Sequence, residues 1–168
     1  MKTYFFYSLL DVTVDTLKQL SIRCVLLDID NTIRRIGASV IESKFADWID
    51  SVKSAGINVI LCSNNFKRNV APIAKSVNCD FISFCLKPSP LGFLRAYFRL
   101  SAKHNEIVVI GDQFFTDILG SKLLLLKSFL VEPISLTHEA ATVKFRRKLT
   151  SAFTNKIKSR DNPYIKGS

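Results

Sequence analysis

Four short runs in this 168-residue chain carry side chains suited to chemistry. Asp28-Ile29-Asp30-Asn31-Thr32 places two carboxylates two residues apart. Ser63-Asn64-Asn65 supplies a hydroxyl and two amides, and Lys87-Pro88 an ammonium. Gly111-Asp112-Gln113-Phe114-Phe115-Thr116-Asp117 adds two more carboxylates. A carboxylate can attack phosphorus and form an acyl phosphate. A second carboxylate can protonate the leaving oxygen and then activate water. A hydroxyl and a lysine can hold the equatorial phosphoryl oxygens as charge develops. Gathered together, Asp28, Asp30 and Asp112, with Asp117 behind them, would repel one another. Each like pair 4 Å apart costs roughly 4 kcal/mol at an effective dielectric near 20. A few hard carboxylate oxygens beside a phosphate are the setting that suits Mg²⁺.

These runs are distant in sequence, so the fold must bring them together. Residues 24–27, 57–62, 80–84, 107–110 and 128–131 are short apolar runs without polar alternation, which suits strands covered on both faces. Between them, Ile41, Phe45, Trp48, Ile49 and Val52 recur at helical spacing. Ser39 and Glu42 form a capping-box pattern ahead of that stripe, and Gly56 is a suitable stop. Val70, Ile73, Ala74 and Val77 make a second stripe. Leu91, Leu94, Ala96 and Phe98 mark a third helix, opened by Pro90. The alternation predicts an α/β fold with a parallel sheet and right-handed crossovers. Asp28, Ser63 and Asp112 each follow a predicted strand end, and Lys87 follows the third strand. In open parallel sheets the ligand crevice lies at the carboxyl ends of the strands.

The length fits one domain over residues 1–168. Residues 1–21 are expected as a helical segment on the domain edge, about 22–134 as the catalytic core, and the last ten as a fraying tail. With 24 Lys+Arg against 14 Asp+Glu, the net charge of +10 favours anionic partners: phosphates, nucleic acid or an anionic membrane. Cys24, Cys62, Cys79 and Cys85 lack zinc-ligand spacing and read as reduced thiols, which points to the cytoplasm. The apolar run near the N-terminus stops at Asp11 and lacks the form of a secretory signal. No apolar run approaches the ~20 residues needed to span a bilayer. Trp48 and the phenylalanines read as core, and His104 and His138 as surface or loop residues. Residues 142–160 carry Lys144, Arg146, Arg147, Lys148, Lys156, Lys158 and Arg160, with Phe145, Leu149, Phe153 and Ile157 recurring every four positions. Such an amphipathic helix suits an anionic membrane surface. The commoner arrangement packs the apolar stripe on the domain and leaves the bases in water.

The four runs, in this order, resemble the motifs of the haloacid dehalogenase superfamily, with a YqeG-type subclass IIIA phosphatase as the best match. The resemblance spans roughly residues 5–150 and includes Leu10-Asp11-Val12-Thr13 and the Lys67-Arg68 pair. It implies a Rossmannoid three-layer α/β/α fold without a cap domain, a phosphatase activity and a Mg²⁺ cofactor. Residue by residue, it implies Asp28 as nucleophile and metal ligand, and Asp30 as general acid/base with its carbonyl on the metal. It implies Ser63, Asn64 and Thr32 around the phosphate, and Lys87 stabilising it while paired with Asp28. Asp112 would be a further metal ligand, and Asp117 a ligand or a support. The segment Gly120–Lys127 departs from the family's Gly-rich, polar pattern. Relatives of this type resemble phosphatidylglycerophosphate phosphatases, so a lipid head group is the leading substrate expectation. A nucleotide, a sugar phosphate or a nucleic-acid end would use the same chemistry. A non-catalytic scaffold or binding protein on this fold is the third class, and retention of both Asp28 and Asp30 speaks against it.

Overall fold

The computed structural model describes residues 2–137, 139–160 and 162–164. Along the chain run β1 (Thr3–Phe6), α1 (Val14–Gln19), β2 (Cys24–Asp28), α2 (Ser43–Ser54), β3 (Asn58–Cys62), α3 (Lys67–Ser76), β4 (Asp80–Ile82) and α4 (Leu91–Tyr97). They are followed by β5 (Ile107–Gly111), a π-helical turn (Phe114–Ile118), α5 (Leu119–Leu123), β6 (Lys127–Val131), α6 (Ala141–Leu149) and α7 (Ser151–Lys158). The strands form one parallel sheet in the order β1-β6-β5-β2-β3-β4. The expected α/β fold is thus observed. The chain crosses to one side of β2 for β3 and β4, then returns to the other side for β5, so its switch point lies at β2.

Strand β2 is buried throughout because both faces of the sheet are covered. Val25 and Leu27 face a core shared with Phe45, Trp48, Ile49 and Val52 of α2 and with Val70, Ile73 and Ala74 of α3. Cys24 and Leu26 face the opposite core, with Phe93 and Ala96 of α4. On that same side Ile157 of α7 packs with Phe5, Leu130 and Ile118. The result is three layers. Between β2 and α2 stand only residues 29–42, and between Asn65 and Lys87 only α3 and β4. No cap domain is inserted at either place.

Several local expectations are corrected. The N-terminal segment is not simply helical: Thr3–Phe6 is a strand whose Phe5 and Phe6 pair in register with Leu130 and Val131. Alternate aromatic side chains there bury into opposite layers, a strand period rather than a helical one. The Ser39/Glu42 capping box does not form. Glu42 instead occupies the N-cap position without a side-chain cap bond, and its carboxylate meets Arg35 at 3.3 Å and Lys44 at 3.0 Å. In α4 the buried face is Gly92, Phe93 and Ala96, whereas Leu91 and Phe98 are exposed.

The basic segment is two helices rather than one. They break at Thr150, whose Oγ1 donates to the Arg146 carbonyl at 2.9 Å. Ile157 packs on the domain and Phe153 stacks on Phe114 at 5.4 Å, but Phe145 and Leu149 remain 67% and 64% exposed. The expected fraying tail is anchored in part. Asn162 Nδ2 donates to the Phe5 carbonyl at 2.6 Å, and Tyr164 meets Tyr4 edge-on. His138, Asp161 and residues 165–168 lie outside the described residues. Among the described residues no helix is long and apolar enough to cross a membrane.

Gly92 sets how closely α4 approaches the loop carrying Lys87. A Cβ there would lie 2.4 Å from the Cys85 carbonyl oxygen. Overpacking of this kind costs about 1–3 kcal/mol, so Gly92→Ala should lower the urea midpoint accordingly. An unchanged midpoint would show that α4 can retreat freely.

Candidate active site

The turn after β2 is closed on one carbonyl. Ile29 O accepts from Thr32 N, Ile33 N and Arg34 N at 3.3, 3.0 and 3.1 Å. Asn31 sits inside this turn at φ 64°, a left-handed conformation that asparagine tolerates better than most residues. The turn folds Thr32 back onto Asp28, where its Oγ1 donates to Asp28 Oδ2 at 3.1 Å. It sends Asp30 forward, held by Arg34 and by Asn65 Nδ2, the latter at 2.7 Å.

The loops after β3 and β4 are stitched together to present Lys87. Cys85 N donates to Ser63 O at 3.0 Å and Phe84 N to Asn65 O at 2.9 Å. The Asn64 side chain takes a bond from Lys87 N at 2.8 Å and gives one to Lys87 O at 3.0 Å. The buried Lys87 ammonium then meets Asp28 Oδ1, Asp117 Oδ1 at 2.7 Å and Cys62 O at 3.1 Å. Three acceptors use its full set of three donors.

Asp112 and Asp117 arrive from β5. The π-helical turn brings Asp117 back over the strand end, where its Oδ2 accepts from Gln113 N and from Thr116 Oγ1, both at 3.2 Å. Gly111 makes room, since a Cβ there would stand 2.4 Å from Asp117 Cγ. Asp112 is buried, with Oδ2 paired to Arg147 and Oδ1 without any hydrogen-bond partner. Oxygens of Asp28, Asp112 and Asp117 all lie within 4.8 Å of one another.

That crowding shows in the titration of the groups. Burial pushes the Asp28 carboxyl up to about 7 despite Lys87, and Asp117 and Asp30 add to the rise. Burial and the nearby Asp28 raise Asp112 well above the carboxylate range against the pull of Arg147. Burial alone would lower Lys87, but Asp117 and Asp28 hold it well above its ordinary value. A buried, unpartnered oxygen beside two further carboxylates is a donor set that fits a hard divalent cation. Asp28, Asp112 and Asp117 are the side chains positioned to hold it. The Asp30 carboxylate stands outside this trio.

Above these residues opens a cleft of about 830 Å³ lined by Asp28, Asp30, Ser63 and Lys87, with Arg34, Arg68 and Arg146 also in its wall. Ser63 Oγ accepts from Asn65 N at 3.1 Å, which leaves its own hydrogen free to donate. Of the two further residues expected around a phosphate, Thr32 has its hydroxyl bonded to Asp28, and Asn64 bonds the Lys87 backbone while also lining the cleft. Sequence reasoning missed Arg34, Arg147, Glu139 and the role of Asn31. One signal was present: Glu139 is the sole acid between Glu132 and Asp161, facing a run of bases.

A family model described as haloacid dehalogenase-like hydrolase matches residues 40–123. The chain belongs to this family. The match contains Ser63, Lys87, Asp112 and Asp117, while the Asp28 run lies before it. The haloacid dehalogenase-like chain is also similar to the probable phosphatase YqeG of Bacillus subtilis (strain 168). The two are 27% identical over 154 residues, covering 92% of this chain and 89% of that protein. Its fold is similar to that of an uncharacterized protein from Listeria monocytogenes serotype 4b, with TM-score 0.54 and 15% identity, covering 71% of this chain and 87% of that one. A hypothetical protein from Xanthomonas campestris gives TM-score 0.52 at 16% identity, covering 74% of this chain and 73% of that one. At such identities the likeness is one of fold.

Asn64 is the clamp on Lys87 in this haloacid dehalogenase-like site. Asn64→Ala would leave the Lys87 N–H and C=O unpaired, at a cost of about 1–3 kcal/mol. Chemical denaturation should register that loss, and stability within about 0.5 kcal/mol of wild type would contradict the clamp.

Proposed function

We propose that this protein is a Mg²⁺-dependent phosphomonoester hydrolase acting through an aspartyl-phosphate on Asp28. The observation that carries the reading is one constellation: the Asp28 carboxylate at the switch point of the sheet, among Asp112, Asp117 and Lys87, below a cleft that Asp30 and Ser63 line. The printed name of the Bacillus subtilis relative, a probable phosphatase, supports the same chemistry. A bound Mg²⁺ would offset the charge of the three carboxylates and of the phosphoryl oxygens. Asp28, Asp112 and Asp117 would hold it, with the Asp30 carbonyl as a further donor.

In the first step a carboxylate oxygen of Asp28 bonds to phosphorus, the bond to the ester oxygen breaks, and Asp30 gives that oxygen its proton. In the second, Asp30 takes a proton from water as the water oxygen bonds to phosphorus. The acyl oxygen–phosphorus bond breaks, which releases phosphate and restores Asp28. Ser63 would donate to the transferring group, while Lys87, whose donors are taken, would orient Asp28 and supply positive charge beside the phosphoryl oxygens. Thr32, which the sequence places near phosphate, serves here to fix the Asp28 carboxylate.

Among substrates we favour the phosphate of a phospholipid head group. Val143 and Arg146 of α6 line the cleft, while on the same helix Phe145 and Leu149 stand exposed, next in sequence to Lys144 and Lys148. Arg68 of the cleft wall lies 5.9 Å from the Phe66 ring, which stacks on Phe84 at 5.9 Å, and both rings are exposed. Apolar side chains among bases at the mouth of a phosphate site suit an anionic bilayer.

With a generic phosphomonoester, turnover should require Mg²⁺, vanish in Asp28→Asn and fall about 10²–10⁴-fold in Asp30→Asn. Wild-type turnover by Asp28→Asn would refute the nucleophile. The double variant Phe145→Ser/Leu149→Ser should lose hydrolysis of phosphatidylglycerophosphate in anionic vesicles and keep hydrolysis of a soluble ester. Equal loss of both, or indifference to the lipid, would return the substrate to the soluble phosphates or nucleic-acid ends.

A further inference from the structure

A largely buried polar chain leads from the Asp28 turn through Glu139 and Arg147 to Asp112, and the phosphatase chemistry as proposed gives no role to Asn31, Glu139 or Arg147. It begins at Asn31, whose Nδ2 donates to Glu139 Oε1 at 3.2 Å. Glu139 is buried and receives Arg147 through Nε at 2.8 and 3.1 Å and through a terminal nitrogen at 2.7 Å. Arg147 continues to Asp112, where one terminal nitrogen donates to the backbone O at 2.9 Å and the other pairs with Oδ2. One planar guanidinium therefore holds both the main chain and the side chain of Asp112. A planar fork fixes the directions of these bonds relative to one another, which the rotatable donors of an ammonium do not.

The consequence falls on the other oxygen of Asp112. With Oδ2 and the carbonyl both held by Arg147, Oδ1 is the one Asp112 side-chain atom left over, and it has no hydrogen-bond partner. It belongs to the residue that stands with Asp28 and Asp117 in the three-acid cluster. Arg147 itself is carried by α6, none of whose residues is fully buried. Its place is therefore set by Glu139 and Asp112 more than by apolar packing of its helix.

We propose that Arg147 is a positioning residue: held by Glu139, which Asn31 anchors in turn, it turns the Asp112 carboxylate so that Oδ1 faces the cation site. This rests on the Mg²⁺ reading given above. The C-terminal basic segment thereby contributes to the metal site as well as to the surface.

The test is Mg²⁺ binding to the full-length protein by titration calorimetry, which needs no turnover. Partners that orient a metal ligand contribute about 10–100-fold in affinity, and Arg147→Ala should weaken Mg²⁺ by that factor. Arg147→Lys keeps the charge without the fork and should fall between the two. At saturating Mg²⁺ the KM for a generic phosphomonoester should stay unchanged, a split that general loosening of the fold would not produce. Equal affinity in wild type and Arg147→Ala overturns the positioning role alone. Absence of Mg²⁺ binding by the wild type overturns the metal reading and this proposal with it. If Arg147→Ala fails to fold, wild-type affinity in Arg147→Lys is the overturning result.

Discussion

The site depends on one buried ion triad, the Lys87 ammonium held between Asp28 and Asp117. Its three acceptors come from the ends of β2 and β3 and from the turn after β5, while Lys87 itself follows β4. Four segments far apart in sequence are thus tied at one nitrogen. Such an arrangement is held by its completeness: a buried pair stripped of one partner costs about 3–5 kcal/mol, because a charge is left without compensation. The fold meets that requirement with small local devices. Asn64 fixes the Lys87 backbone, Gly111 lets Asp117 approach, and Gly92 lets α4 close on the Lys87 loop.

The triad leaves the charge balance of the site incomplete. Asp28, Asp112, Asp117 and Glu139 stand against Lys87 and Arg147, in a region from which water is largely excluded. A parallel sheet collects carboxylates at its strand ends only if something offsets their repulsion. A cation beside a phosphate ester would do so, which links the architecture of the sheet to the chemistry proposed at its edge.

Much of this was legible in the sequence, for physical reasons that differ by element. The runs that became β2, β3, β5 and β6 are short and apolar, and central strands buried on both faces tolerate little else, whereas β4, at the sheet edge, carries the weaker run beginning at Asp80. Asp28, Ser63 and Asp112 stand at strand ends because each closes or follows such a run. Strand β1 was missed because four aromatic-rich residues carry too little periodicity to separate strand from helix. Thr32 and Asn64 lie in the expected motifs, yet spacing does not reveal that their side chains bond Asp28 and the Lys87 backbone. Arg147 was hidden among neighbouring bases. Its pairing with Glu139 and Asp112, which depends on tertiary structure, distinguishes it from Arg146 beside it.

The central claim is that Asp28 becomes phosphorylated during turnover. The most direct measurement is to quench the protein in acid during reaction with a phosphomonoester and Mg²⁺, reduce it with borohydride, and sequence the peptide spanning residue 28 by mass spectrometry. An acyl phosphate is reduced under these conditions, so homoserine should replace Asp28, only when substrate and Mg²⁺ are both present. Unmodified Asp28 with the reduction product at another carboxylate would contradict the account.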